Sequence, residues 1–294
     1  MQINARKAEV YFSKGVTAAM GLQLSETLGF QRVHNLVVTV ANKVVGLEIC
    51  KQLAQDGIMV VLTARDEKRG LKALESLKYS GLSDYLVFHP FDVADPESIA
   101  SLTDFVKKQF GKLDFLVNSR DIWSKATDDK YELAEECLKI NYYGAKRTAE
   151  ALIPLLQLSD LPRIVNVSSS IVMLNGKGEK HKGVLTGVTT DEKLNDLITE
   201  YLKDFKEGLH GSKGWPTFIS AYTVSKDSGK QVPRVPDFCI NSVCPGYAKT
   251  DINLNTGTIT AEEGAVTPGK LALLPKGGPS GLFFVKGEPA SPEP

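Results

Sequence analysis

The chain has 294 residues, and its 35 lysines and arginines balance 35 aspartates and glutamates, so the formal net charge is zero. Hydrophobic residues make up 42% and charged residues 24%, which is close to the average of globular proteins and excludes a wholly disordered chain. Dedicated nucleic-acid and membrane-surface proteins usually carry a basic excess. We therefore expect neither a nucleic acid nor a membrane as a partner.

The two ends of the chain differ from its middle. Residues 1–34 contain no long apolar segment, and we expect a poorly ordered extension there, with a weak transit peptide as the alternative. The last residues, 287–294, read GEPASPEP and predict a disordered tail. The apolar runs between the two ends are far too short to span a membrane.

Four cysteines lie among apolar neighbours, at positions 50, 137, 239 and 244. No two of them form a CxxC pair, and none lies near a histidine at the spacing of a zinc site. We therefore expect no metal site and four free, buried thiols. Free thiols are typical of a reducing compartment, which favours the cytoplasm.

Short β-branched runs alternate with longer amphipathic segments from Asn35 onward. The runs predict strands at 35–40, 58–63, 85–89, 113–117, 163–168, 238–244 and 282–285, and the segments predict helices at 44–56, 66–79, 95–110 and 131–156. Such alternation, with nearly continuous apolar strands, is typical of a parallel sheet covered on both faces. The sequence therefore predicts an α/β fold, a Rossmann-type doubly wound sheet in one domain over 35–286.

One stretch, 171–218, interrupts this alternation. It opens with glycines and lysines and continues as a polar helix over 191–207. An apolar stripe on this helix is formed by Leu194, Leu197, Ile198, Tyr201, Leu202 and Phe205. We interpret the stretch as a helical insertion or lid; the alternative is that the stripe simply packs as core.

Tyr222 and Lys226, in AYTVSK, are four positions apart and would lie one above the other on a helix face. The strand at 163–168 ends in NVSSS and presents serines at the carboxyl edge of the sheet. Each feature alone is common, because Tyr-x-x-x-Lys occurs in many helices and serine ends many strands. Together, at the edge where doubly wound sheets bind ligands, they indicate an active site.

With these motifs the sequence resembles the short-chain dehydrogenase/reductase family. More closely, it is similar to the plant branch of monomeric carbonyl reductases that includes salutaridine reductase and the menthone and neomenthol enzymes. The resemblance covers about 35–286 and rests on ANKVVGLEICKQLA, LTARDEKRG, FDVADPESI, CLKINYYGAKRTAEALIPLL, RIVNVSSS, AYTVSK, CINSVCPGYAKTDIN and GPSGLFF. It implies a monomer that transfers a hydride from a nicotinamide cofactor to a carbonyl carbon.

The resemblance implies catalytic roles for four residues. Tyr222 would donate a proton to the developing alkoxide, and Lys226 would lower the phenol pKa from its usual value of about 10 and hold the nicotinamide ribose. Ser169 would hydrogen-bond the substrate oxygen. Asn141, in KINYYG, would fix the helix geometry and a water molecule that leads protons to Lys226.

The cofactor is expected along the strand ends. Lys43 and Arg65 follow the first two strands, where basic residues favour the 2′-phosphate of NADPH/NADP+ and an acidic residue would favour NAD. The alternative is that both are solvated surface charges. The resemblance implies that the cofactor-binding residues are Asn42, Lys43, Val45, Gly46, Arg65, Asp92, Val93, Asn118, Tyr222, Lys226, Pro245, Gly246 and Thr250.

The first β–α turn departs from the family's glycine pattern. Valines occupy two of its three glycine positions, at Val40 and Val44, and only Gly46 remains. A β-branched residue is disfavoured where φ is positive, and it fills space otherwise left for the pyrophosphate. The sequence therefore predicts a strained turn and weakened cofactor binding.

Two further departures concern the site's supports. Arg120 and Asp121 stand where the family has small residues, and prolines at 233 and 236 shorten the helix that carries Tyr222. Two functions remain open. One is an NADPH-dependent reductase of a ketone or aldehyde, a small apolar compound or plant secondary metabolite. The other is a non-catalytic homologue that has lost cofactor binding and serves as an interaction protein or has no selected role.

Overall fold

The computed structural model describes residues 34–39, 41, 44–119, 130–171, 190–217, 219–228, 235–250 and 253–290. The strands are β1 (Asn35–Thr39), β2 (Met59–Ala64), β3 (Leu86–Pro90), β4 (Phe115–Asn118), β5 (Arg163–Val167), β6 (Cys239–Cys244), β7 (Phe283–Val285) and β8 (Glu288–Ala290). The helices are α1 (Val44–Gln55), α2 (Glu67–Leu77), α3 (Pro96–Phe110), α4 (Tyr131–Leu138), α5 (Ala145–Leu156), α6 (Asp191–Lys206), α7 (Ser220–Ser228) and α8 (Ala261–Ala272). The expected N-terminal extension up to residue 33 and most of the insertion before residue 190 lie outside the described residues.

The strands form one sheet in the order β3-β2-β1-β4-β5-β6-β7-β8. Neighbouring strands from β3 to β7 are parallel. The strand order reverses between β1 and β4, and ligands of doubly wound sheets bind outside the carboxyl ends of the strands at such a point. The predicted doubly wound α/β fold is therefore confirmed.

The central strands are buried on both faces. Val38 and Val117 belong to a cluster with α1 and α8, while Val37 and Leu116 pack on the other face with α3 and α5. All four side chains are fully buried. Burial on both faces explains why the strands are nearly continuous apolar runs in the sequence.

The insertion helix α6 packs on a third cluster, with α4 and α7. Its stripe residues Leu194, Ile198 and Tyr201 are buried there, so the stripe is packed against the domain. The side chain of Thr190 accepts a hydrogen bond from Lys193 N and caps the helix. Asp191 at the same end lies 3.1 Å from the Lys146 ammonium on α5.

The predicted single helix over 131–156 is interrupted. Between α4 and α5 the segment Lys139–Gly144 has π-helical hydrogen bonding. A Cβ at Gly144 would lie 2.4 Å from Val93 Cγ2, so the segment approaches the turn after β3 more closely than a side chain would allow. π-Helical turns inside helices are frequent at functional sites, and this one carries Asn141.

The C-terminal part contains two elements that the sequence did not predict. Helix α8 follows β6 and begins with a capping box between Thr260 and Glu263. Within the tail expected at 287–294, Glu288–Ala290 forms β8, antiparallel to β7, and residues 291–294 lie outside the described residues. Lys286 and Gly287 have φ angles of 52° and 85°, as in the two-residue turns that join β-hairpins.

No helix among the residues that the structure describes is both long enough and apolar enough to cross a bilayer. All four cysteines are buried thiols outside any disulfide, as predicted.

Candidate active site

Helix α7 carries Tyr222 and Lys226 on one face. The Lys226 ammonium nitrogen lies 5.6 Å from the centroid of the Tyr222 ring. Both side chains are buried, at 8% and 3% exposure. The two side chains therefore lie next to each other on the helix face, as their spacing predicts.

Two hydrogen bonds fasten Lys226 to the end of β5. The Lys226 Nζ donates to the carbonyl oxygen of Val167 at 3.1 Å. The hydroxyl of Ser168 donates to the backbone carbonyl oxygen of Lys226 at 3.0 Å. Ser168 itself is buried. The first of the three serines therefore holds α7 against the sheet.

The second serine, Ser169, is half-buried directly after this anchor. Its hydroxyl oxygen accepts a hydrogen bond from the backbone N–H of Ile171 at 3.3 Å. The serine predicted to contact substrate thus lies at the strand end next to α7.

Asn141 is tied to the same helix from the other side. Its Nδ2 donates to the hydroxyl oxygen of Ser225 at 3.1 Å and lies 3.4 Å from Cys137 Sγ. The Ser225 hydroxyl donates in turn to the carbonyl oxygen of Tyr222 at 2.8 Å. Asn141 is therefore linked through Ser225 to the backbone of the predicted proton donor.

A polar cleft lies where Asn141, Ser225 and Lys226 meet the carboxyl ends of β4 and β5, and neither Tyr222 nor Ser169 is part of its lining. Its lining includes Asn118, Asn166, Asn141 and Lys226. Asn118 and Asn166 face each other in the sheet register, and Asn118 Nδ2 donates to Asn166 Oδ1 at 2.9 Å. Asn118 Oδ1 and Asn166 Nδ2 are buried and have no hydrogen-bond partner among the described residues. The pair therefore offers one acceptor and one donor to a ligand.

Sequence reasoning missed Asn166 and Ser225. Asn166 is two residues before Ser168 in the strand NVS, but its importance depends on the register that sets it beside Asn118. Ser225 lies inside AYTVSK, between Tyr222 and Lys226. In the sequence, each residue stands out only as a polar side chain among mostly apolar neighbours, which does not by itself indicate a functional role.

The other predicted cofactor residues follow the carboxyl edge of the sheet. Val45 and Gly46 are in the first turn of α1, Arg65 follows β2, Asp92 and Val93 follow β3, and Pro245, Gly246 and Thr250 follow β6. Val93 lines the polar cleft with Asn118, Asn141 and Lys226; the other described residues of the set are not part of its lining. Asn42, Lys43, Val40, Arg120, Asp121 and Pro233 lie outside the described residues.

Several of these turn residues have definite contacts. The Asp92 carboxylate accepts a hydrogen bond from Ala94 N at 3.0 Å, and Thr250 N donates to Asn253 Oδ1 at 3.1 Å. Arg65 is exposed. A Cβ at Gly264 of α8 would lie 3.3 Å from Pro245 O and 3.4 Å from Val45 Cγ2, so the turns after β1 and β6 both meet α8.

The comparisons with known proteins agree with this geometry. Residues 34–180 match the family described as short chain dehydrogenase. The chain is 50% identical to short-chain dehydrogenase/reductase 1 of Saponaria officinalis, over 86% of its own length and 94% of that protein. The chain belongs to the short-chain dehydrogenase family.

Several plant members of this family are similar to the chain. The chain is 51% identical to (+)-neomenthol dehydrogenase of Arabidopsis thaliana, over 84% of its length and 94% of that protein. The solved structure of salutaridine reductase from Papaver somniferum is 44% identical, with a TM-score of 0.79 over 85% of this chain and 99% of that one. The predicted resemblance to the plant branch of the short-chain dehydrogenase family is confirmed.

The strain predicted for the glycine-poor turn of this short-chain dehydrogenase is present at Val44. Its φ is 35°, in the left-handed region that β-branched residues rarely occupy. The next residue, Val45, does not have a positive φ. The first turn of α1 therefore begins with a residue that glycine would suit better.

The family implies a nicotinamide cofactor, and the described residues fit one. The unpaired atoms of Asn118 and Asn166 and the nearby Lys226 ammonium form a buried polar surface that suits the hydroxyl groups of a ribose. The strained Val44 lies in the turn where the family holds the pyrophosphate, and there the fit is poorer.

Proposed function

We propose that the chain is an NADPH-dependent reductase that adds a hydride to the carbonyl carbon of a ketone or aldehyde. Its substrate would be a small apolar compound or plant secondary metabolite, and the enzyme would also oxidise the corresponding alcohol. The observation that carries the proposal is the buried pair Tyr222–Lys226, fastened to β5 beside the polar cleft.

Tyr222 is the proton donor in this proposal. When bound, NADPH would supply the hydride and be left as NADP+. As the carbonyl oxygen gains negative charge, the Tyr222 hydroxyl transfers its proton to that oxygen, and the product is an alcohol. The nearby Lys226 ammonium makes this transfer easier because it stabilises the phenolate that remains.

Lys226 and Asn141 fix the geometry of the donor. Lys226 would hold the nicotinamide ribose, and its hydrogen bond to Val167 O limits the positions of the ammonium. Asn141, acting through Ser225, restrains the backbone carbonyl of Tyr222. Small displacements of a reacting group have large effects on rate.

Ser169 completes the proposed set by donating a hydrogen bond to the substrate oxygen. That bond strengthens as the oxygen becomes an alkoxide, so it stabilises the transition state more than the bound ketone. Its effect should appear in kcat more than in KM.

Three single variants test the proposal. With NADPH and a panel of ketones, Tyr222→Phe should abolish reduction and leave NADPH binding nearly unchanged, because the phenol supplies a proton and little cofactor contact. Lys226→Ala should impair both binding and turnover. Ser169→Ala should lower kcat by about a hundredfold, as for one oxyanion donor, while Ser170→Ala serves as the matched control.

The second candidate function is that of a non-catalytic homologue, acting as an interaction protein or without a selected role. The positive φ of Val44 in the phosphate turn favours it. Wild-type protein as inactive as Tyr222→Phe on a broad ketone panel, with NADPH saturating, would select this candidate.

Two further properties belong to the proposal. We propose a monomer, because α6 covers a helical surface on α4 that is then not available for pairing. We also propose the cytoplasm, because all four cysteines are buried thiols outside any disulfide, and reducing compartments keep thiols in this state.

A further inference from the structure

A tyrosine of the insertion helix reaches the first residue of the active-site helix. Tyr201 on α6 is fully buried, and its hydroxyl donates to the Ser220 hydroxyl oxygen at 3.0 Å. Ser220 is 1% exposed and begins α7. It precedes Tyr222 by two residues. The bond therefore joins the insertion to the end of α7 that bears the proposed proton donor.

The backbone immediately before this contact is strained. Ile219 has a φ of 46°, in the left-handed region, although it is β-branched. Its carbonyl oxygen accepts the hydrogen bond from Thr223 N at 2.9 Å, so it occupies the N-cap position of α7. An isoleucine side chain cannot cap a helix, since it has no hydrogen-bond acceptor. The start of α7 thus depends on contacts from other elements.

The insertion holds Tyr201 firmly. Its ring packs edge-on against Trp215 with a centroid distance of 5.3 Å and an interplanar angle of 72°. Trp215 Nε1 donates to Asp204 Oδ2 at 2.9 Å, and Lys213 Nζ donates to the other oxygen of that carboxylate at 2.5 Å. Asp204 is 1% exposed, so both bonds keep a buried charge paired.

We propose that Tyr201 is a positioning residue for the active-site helix. Its bond to Ser220 fixes the strained start of α7 and thereby the direction of the Tyr222 side chain. In this proposal Tyr201 acts on the donor through Ser220. Its role in catalysis rests on the proposed reductase function, whereas its effect on α7 does not.

The first test is hydrogen–deuterium exchange of the full chain without cofactor. Tyr201→Phe removes only the hydroxyl, and we expect exchange of the α7 amides to accelerate about tenfold, as loss of one local restraint allows. Ser220→Ala should have the same effect, and the double variant should add nothing to either single change. The control is Tyr131→Phe, whose hydroxyl bonds Glu135 on α4 and which should leave α7 unchanged.

The second test uses turnover. In Tyr201→Phe we expect kcat to fall about fivefold with an unchanged KM for NADPH, since only the proton donor is displaced.

Unchanged exchange over α7, additive effects of the two substitutions, or equal acceleration throughout the core would each overturn the proposal. If the wild-type chain binds NADPH but reduces no ketone, the reductase function fails, and the exchange data still decide whether Tyr201 positions α7.

Discussion

Among single residues, Val44 is the clearest conflict between sequence and backbone. A β-branched residue at a φ of 35° costs on the order of 1–3 kcal/mol. Val44→Gly removes that strain and also the side chain that fills space where the family holds the pyrophosphate. We therefore expect NADPH to bind about tenfold more tightly, the equivalent of about 1.4 kcal/mol. Fluorescence titration measures the change.

The neighbouring substitution Val45→Gly is the control for this prediction. Val45 has no positive φ, so glycine there should lower stability by roughly 1 kcal/mol without improving binding. Equal affinities of wild type and Val44→Gly for NADPH would mean that the turn accommodates valine.

We propose that Arg65 determines the choice between the two nicotinamide cofactors. It is exposed directly after β2, where a guanidinium can pair with a 2′-phosphate. We expect Arg65→Asp to reduce the ratio of NADPH to NADH affinity by about tenfold or more. Lys68→Asp, an equal change of charge on α2, should alter it much less. A preference that survives Arg65→Asp would show that another group binds the phosphate.

Asp114, at the amino edge of the sheet, should make the free energy of unfolding depend on pH in the acidic range. Burial raises the pKa of this carboxyl, but the His34 ring 3.7 Å away and hydrogen bonds from Ser159, the Asn35 N–H and Lys112 together hold it below its usual range. Because the folded-state pKa lies below the unfolded value of about 3.9, the stabilisation is present above that pH and is lost as the pH falls further.

Urea unfolding at several pH values tests this sign. We expect Asp114→Asn to lower the free energy of unfolding at pH 7 by about 3 kcal/mol or more, as when a buried ion pair loses one partner. The difference from wild type should shrink toward pH 3. Asp104→Asn, at an exposed position on α3, should show neither effect. A difference that is constant with pH would contradict the assignment.

At the level of elements, α6 decides the oligomeric state that we propose. Lys146 fixes its start through Asp191, and the Lys206 ammonium near its end lies 5.0 Å from the centroid of the Tyr131 ring. Sedimentation velocity should therefore find one species of the chain mass, 32.0 kDa. A stable particle of twice that mass, dissociated by charge reversal at exposed Lys203, would contradict the monomer.

The elements that sequence patterns predicted are those formed by local rules. The strands from β1 to β7 follow from apolar, β-branched runs, and α3 follows from Asp95, which caps the helix before Pro96. The missed α8 contains Pro268 in its interior, a residue that argues against a helix. The missed β8 is three residues long and contains Pro289, so only its pairing with β7 defines it.

The same distinction applies to the candidate site. The spacing of Tyr222 and Lys226 is a local signal on one helix and could be recognised in the sequence. The pairing of Asn118 with Asn166 and of Asn141 with Ser225 joins residues 48 and 84 positions apart. Such contacts depend on sheet register and helix packing, so the sequence offered no pattern for them.

For the whole molecule, the fold brings four separate parts of the chain to one edge of the sheet. Four elements meet at the cleft: β4 with Asn118, β5 with Asn166, the π-helical segment and α7. Helix α6 of the insertion packs against α7. The central claim is that this edge binds a nicotinamide cofactor beside Tyr222.

Calorimetric titration of NADPH into the full-length protein tests that claim most directly. We predict saturable binding of one NADPH per chain, weaker binding of NADH, and at least a tenfold loss of affinity, about 1.4 kcal/mol, in Lys226→Ala. Folded wild-type protein that takes up no NADPH at millimolar concentration, or binds it equally well after Lys226→Ala, would contradict the account.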